Sequence, residues 1–378
     1  MAGAQSPLGR EVAGAAPARR ERIGWADAAR GIGIATVFFG HYLQDLAPHD
    51  LVASDDLRFL YSFHVPFFFV LSGCFAHREP RFWKQLKVLA MRRLLPVLFF
   101  GICFGLLDTV ARLRHGNIDA DWIEEMIGDY LMGRPLLDWV TWFLVCLFVC
   151  ELLAYFIVDR LRTPFEQFAT GVLLILIGAT FGNRTNHSSE GIAFYFGEFW
   201  FFSEAIVAVG FYLVGHTLRP WLTENLNSAH RASLVMVSGF LLVLVTFQRN
   251  TIAGEPVVVM MASRSHGNVI WFCVTALAGS LALLGAGALL SSWKLLQKIG
   301  RNTVPLLGLN GLFFGGLNQL AIRHIHDPTS RAGVALVAAG VTIASLLLCA
   351  PLVTLLRNLV PQLIGNPRKS GPLLPALE

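Results

Sequence analysis

Asp27, Arg30 and His41 lie in one apolar stretch, 24–46, where ionisable side chains are costly and seldom kept without a task. Asp27 and Arg30 stand three apart, neighbours on one helix face, where an ion pair lowers the cost of both. His41 follows Arg30 by just over three turns and returns to nearly the same face, about 16 Å further along. The three residues define a polar stripe in which an arginine can hold an anion and an imidazole can take or give a proton near neutral pH. The bland alternative, an arginine reaching back to the interface and a satisfied helix-end histidine, accounts for the charges singly but not for their shared face.

A second apolar stretch, 57–77, contains Tyr61-Ser-Phe-His-Val-Pro-Phe-Phe-Phe-Val-Leu-Ser-Gly73. Running the opposite way, it brings His64 to the depth of His41. Pro66 lacks an amide hydrogen and frees the carbonyl one turn earlier, at Ser62, so a kink is expected beside His64. His64 reads equally as a reacting group and as a packing histidine bonded to that carbonyl. Ser72 and Gly73 read as packing residues that permit close helix approach. The basic segment Arg78 to Arg93 follows, with Lys84, Lys87, Arg92 and Arg93 leading to Leu94-Leu-Pro96. Two accounts of it hold together. One is contact with anionic lipid headgroups; the other is a phosphate-binding patch in which Arg92 and Arg93 open a helix whose N-terminus adds its own pull on anions.

The elements that must position these groups are membrane helices. Of 378 residues, 54% are hydrophobic and 15% charged, a balance that a soluble domain could hardly hold. Stretches long enough to span a bilayer recur at 24–46, 57–77, 93–112, 136–158, 167–182, 197–218, 232–247, 268–290, 303–322 and 332–356, so an all-α polytopic bundle of about ten helices is expected. With the N-terminus inside, the inward segments carry most of the 30 Lys and Arg and every Lys. That bias places both termini in the cytoplasm and explains the net charge of +5 without a nucleic-acid partner. Residues 1–20 lack an apolar core and read as a disordered tail; 21–360 form the membrane domain, and the Pro-punctuated stretch 361–378 reads as a loose tail.

Other polar groups rank lower. Glu204, Glu151 and Trp142 are candidates to line a cavity, while Glu151 lies where it can simply reach the interface. His324, His326 and Asp327 resemble a metal site but lack a fourth ligand at suitable spacing, so a solvated loop is expected and no metal. All six cysteines fall within the apolar stretches, without CxxC spacing, and read as small packing residues.

Taken together, three motifs resemble the acyltransferase 3 family of membrane O-acyltransferases, particularly its fucose 4-O-acetylase-like branch. They are Asp27-Ala-Ala-Arg30-Gly31 with His41 beyond, Phe63-His-Val-Pro-Phe-Phe-Phe-Val-Leu-Ser-Gly73, and Arg92-Arg-Leu-Leu-Pro96. Trp142-Phe-Leu144 and Ile299-Gly-Arg-Asn-Thr303 add weaker matches. Cys74 stands where the family usually has an aromatic, and Asn310 where members often carry a histidine, so Asn310 is given no catalytic role.

The resemblance implies transfer of an acyl group, acetyl foremost, from cytoplasmic acyl-CoA to a hydroxyl of a sugar or glycan at the cell membrane. It places CoA phosphates at Arg92, Arg93 and Lys84, with Lys87 a further candidate and Arg30 deeper in. His41 would be general base or transient acyl carrier, Asp27 would hold Arg30, and His64 would orient the acceptor or polarise the thioester. Trp142 and Glu204 would face the acceptor. The rival from another class is a secondary transporter of a small anionic or sugar-like solute. Transporters are commonly built from repeats with matching broken helices, and no such symmetry is visible; the polar groups gather in the first two stretches and the loop after them.

Overall fold

The computed structural model describes residues 23–46, 55–115, 120–186, 199–324 and 330–377. The N-terminal tail, 1–20, and the pair His326 and Asp327 lie outside the described residues. The helices are α1 (Gly24–Leu46), α2 (Asp55–Tyr61), α3 (His64–Cys74), α4 (Phe82–Leu89), α5 (Leu95–His115), α6 (Ala120–Leu131) and α7 (Trp142–Ile157). They continue as α8 (Pro164–Asn186), α9 (Phe202–Asn225), α10 (Ala229–Thr246), α11 (Val269–Leu289), α12 (Lys294–Gly300), α13 (Thr303–His324) and α14 (Arg331–Leu359). A short antiparallel pair, β1 (Thr251–Ile252) and β2 (Glu255–Pro256), lies between α10 and α11.

The chain is an all-α polytopic bundle. Among the described residues, eight helical stretches are long and apolar enough to cross a membrane. With 23 and 22 residues, α1 and α13 reach about 35 and 33 Å and join them by length. Helices suit this setting because they satisfy their own backbone polar groups where no water can. Side chains finish the job at two ends: Asn268 Oδ1 accepts from the amides of Ile270 and Trp271, both at 3.2 Å, and Ser330 Oγ accepts from Gly333 at 3.1 Å.

α1 occupies the centre of the bundle, packed on α3, α11, α12, α13 and α14. α3 in turn packs on α9, where Gly73 leaves no room for a side chain against the Tyr212 backbone. Ser72 and Gly73 thus differ in role. Gly73 serves close approach, as expected, while Ser72 turns to a cavity.

Three local features depart from the sequence reading. The 57–77 stretch is two helices, broken at Ser62 and Phe63, and the carbonyl beside His64 is that of Leu60, not Ser62. Ser62 Oγ closes the break by donating to Phe59 O at 2.6 Å. Arg92 and Arg93 do not open a helix: they occupy a π turn, Ala90–Leu94, inside the continuous stretch Phe82–Arg114. Its helical N-terminus lies at Phe82, because nothing between Phe82 and Leu95 interrupts the amide ladder, and the anion-attracting end is therefore elsewhere. Finally, residues 361–377 are pinned: Gln362 Nε2 donates to the carbonyls of Leu374 and Pro375, and Arg368 pairs with Glu79 at 3.4 Å.

Candidate functional site

α1 presents Asp27, Arg30 and His41 to one cavity of about 660 Å³, which His64, Arg93 and Trp142 also line. The polar stripe expected from spacing is therefore one wall of this cavity, with its two ends chemically unlike.

At the Asp27 end the groups are charged and paired. Asp27 accepts from Arg30 Nη1 at 3.1 Å and from Arg301 Nε at 2.7 Å, so one carboxylate binds two guanidinium groups. Arg30 also lies over the Phe75 ring, 5.3 Å from its centroid. Opposite, Arg93 grips Glu151 with two parallel bonds, Nε to Oε2 at 2.9 Å and Nη2 to Oε1 at 2.8 Å. The π turn carries one extra residue per turn and aims Arg93 at Glu151, while its neighbour Arg92, about 100° round the helix, is not among the lining residues. Arg219, at the exposed end of α9, completes this end of the cavity. Arg30, Arg93, Arg219 and Arg301 face Asp27 and Glu151, which leaves an excess of positive charge suited to phosphate.

At the other end the groups are neutral hydrogen-bonders. His41 Nδ1 lies 2.7 Å from Asn310 Oδ1, and Asn310 is fully buried. A carbonyl oxygen can only accept, so Nδ1 carries the ring proton and Nε2 keeps the lone pair. His64 Nδ1 donates to Leu60 O at 3.1 Å, which fixes the same tautomer in the second imidazole. Its partner is the carbonyl exposed by the break between α2 and α3. Between the two ends the walls are apolar, with Ile34, Val37, Phe68, Leu144 and Leu307.

Four expected residues stand apart from this cavity, Lys87 among them. Arg92 is another. Lys84, more than half exposed, pairs with Glu79 at 2.6 Å on the basic loop. The Lys84 ammonium, bonded to Glu79, holds that carboxyl below the usual carboxylate range. Glu204 is fully buried but faces His266, whose Nε2 lies 3.0 Å away, in a network with Asn183 and Asn250 on the far side of α9. A membrane-embedded acid needs a partner, and Glu204 found one outside the cavity.

Four residues of the site escaped the sequence reading: Asn310, Arg301, Arg219 and, in its pairing, Glu151. Arg301 sits in the weakly matching Ile299 to Thr303 segment, and Asn310 at a position where the resembled family often has a histidine; these are the available signals. Among the described residues no three metal-ligating side chains converge.

With this geometry in view, a family model described as an acyltransferase domain matches residues 23–354, a range that takes in every residue of the cavity. No curated protein and no solved structure matches the chain.

Proposed function

Because the chain belongs to the acyltransferase 3 family and is a membrane acyltransferase, we propose that it moves an acyl group, acetyl foremost, from acyl-CoA to a hydroxyl of a sugar or glycan. In this reading the basic end of the cavity faces the cytoplasm, both termini lie inside, and the protein works in the cell membrane. The observation that carries the proposal is the two-ended cavity: a cationic mouth joined through apolar walls to a histidine held with its lone pair inward.

The donor is a polyanion on a long flexible arm. Its phosphates fit the end made by Arg30, Arg93, Arg219 and Arg301, where fixed guanidinium groups match phosphate oxygens. Asp27 and Glu151 hold three of these arginines in place, so little side-chain freedom is lost on binding. The arm then runs along the apolar section and sets the thioester beside His41.

There, Nε2 of His41 accepts the proton of the acceptor hydroxyl as its oxygen attacks the thioester carbonyl carbon. The carbon–sulfur bond breaks, and the proton held by His41 passes to the departing thiolate, giving CoA and the ester. Asn310 supports this by accepting from Nδ1, which keeps the lone pair on the correct nitrogen and steadies the imidazolium. His64, on the same wall and with Nδ1 already engaged, is placed to orient the acceptor. Trp142 offers a flat apolar face to a sugar ring.

The test is turnover. Protein purified in detergent and given radiolabelled acetyl-CoA should release CoA and, with a suitable glycoside, form labelled ester. Absence of any turnover, together with uptake of label into vesicles containing the protein, would establish the transporter reading instead.

A further inference from the structure

The basic segment is divided by the fold. Arg93 turns into the cavity, whereas Arg81, Lys84 and Lys87 do not line it. Lys84 and Arg368 are drawn to Glu79, which leaves Arg81 and Lys87, both exposed and, among the described residues, without a carboxylate partner. Trp83, between them in sequence, is 76% exposed. A bare indole beside unpaired cations is costly in water and well placed where one side is wet and the other apolar.

The two sides of α4 differ sharply. Gln85, Val88 and Leu89 are buried, while Trp83, Lys84 and Lys87 fall within about 100° of one another on the exposed side. Phe82 packs on Phe156 and Tyr155, 5.4 and 5.9 Å between centroids, and fixes the start of α4 against the end of α7. The exposed side is therefore held in one orientation.

Its depth follows from the helix it continues into. The stretch Phe82–Arg114 has 33 residues, about 50 Å of helix against about 30 Å of hydrocarbon core. Along it the exposed side changes chemistry. Leu98, Ile102, Leu106 and Leu113 are exposed and apolar, the surface a helix shows to acyl chains. Lys87 precedes Leu98 by eleven residues, about 16 Å, and there the exposed groups are ammonium, guanidinium and indole. That change puts α4 at headgroup level, where lysine stems and indole rings bridge the two media.

We propose that the exposed face of α4, formed by Arg81, Trp83 and Lys87, binds the headgroup of an anionic phospholipid in the leaflet at the cationic end of the cavity. The two cations meet the phosphate, the indole lies between headgroup and chains, and Leu98 and Ile102 meet the chains. This site is separate from the arginines that face the cavity.

The experiment uses full-length protein in phosphatidylcholine vesicles containing acyl-chain-brominated phosphatidylglycerol or, at the same fraction, brominated phosphatidylcholine. The fluorescence of Trp83 is the difference between wild type and Trp83→Phe. Brominated phosphatidylglycerol should quench it about threefold or more as strongly as the zwitterionic lipid, and the preference should fade in high salt. Arg81→Gln with Lys87→Gln should abolish the preference, while Arg231→Gln, at an exposed arginine in the first turn of α10, should leave it intact. The Kd of acetyl-CoA for the double variant, measured by calorimetry, should stay within about twofold of wild type. Equal quenching by the two lipids, or a preference lost as readily in Arg231→Gln, overturns the site. A Kd for acetyl-CoA weakened tenfold in the double variant gives these cations to the donor and overturns it as well. A wild type that binds no acetyl-CoA would overturn the proposed function, and the lipid site would still stand or fall on the quenching.

Discussion

The two ends of the cavity solve opposite problems. At the Asp27 end every carboxylate is engaged, Asp27 by two arginines and Glu151 by a two-pronged Arg93, and the surplus charge is permanent. At the His41 end stand two imidazoles and the Asn310 amide, and among the described residues the amide nitrogen of Asn310 has no hydrogen-bond partner. A paired, rigid, cationic end suits a ligand whose charge never changes. An end with two imidazoles oriented by hydrogen bonds suits groups that exchange a proton. Under the proposed acyl-transfer reading, the difference gives donor binding to one end and chemistry to the other.

On that division, substitutions at the His41 end should lower kcat and those at the Asp27 end should raise KM for acyl-CoA. The largest effect is expected for His41→Ala, a fall in kcat of about 10²–10⁴ with expression unchanged, read by ester formation; retained transfer would end its assignment as base. Asn310→Ala comes next, about 10- to 100-fold in kcat with KM for acyl-CoA unaltered, the order expected for a group that only orients. A rise in KM instead would blur the two ends.

At the Asp27 end, Arg93→Ala should raise KM for acetyl-CoA about tenfold. It should also destabilise the protein, by about 3–5 kcal/mol at most, because Glu151 is left without its cation in a largely buried site. Double substitution, Arg93→Ala with Glu151→Gln, should recover the thermal midpoint but not KM. Arg219→Ala should raise the same KM a few-fold only, and less at high salt, since this arginine is exposed and screened.

The smallest effect concerns pH and the basic loop. Glu79 has a depressed folded-state value through its bond to Lys84, so its contribution is present above the unfolded carboxylate value and is lost as pH falls through the folded one. Release of the 361–377 segment from Glu79, followed by limited proteolysis, should therefore appear only on acidification. Lys84→Ala should narrow that pH difference while leaving acyl-CoA KM unchanged.

What could be read without coordinates was whatever lies within one helix. The spacing of Asp27, Arg30 and His41 places them on a common face, and apolar runs mark the spanning helices, because both follow from a single period. Partners brought by folding were not legible. Arg301 reaches Asp27 across 274 residues, Asn310 reaches His41 across 269, and Glu151 reaches Arg93 across 58. No periodicity links such pairs. Glu204 shows the converse: an acid in a membrane helix signals a partner, but nothing in the segment tells which side of α9 the partner, His266, will occupy. Arg92 and Arg93 show a third case, since a π turn leaves no clear trace in composition yet decides which of the two faces the cavity.

The central claim, one cavity with separate binding and reacting ends, is tested most directly by the Kd of acetyl-CoA for the His41→Ala protein, measured by calorimetry in detergent. The account predicts a Kd within about twofold of wild type while ester formation is lost. A Kd weakened as severely as in Arg93→Ala would contradict it, because His41 would then belong to the binding end and the division between the two ends would not exist.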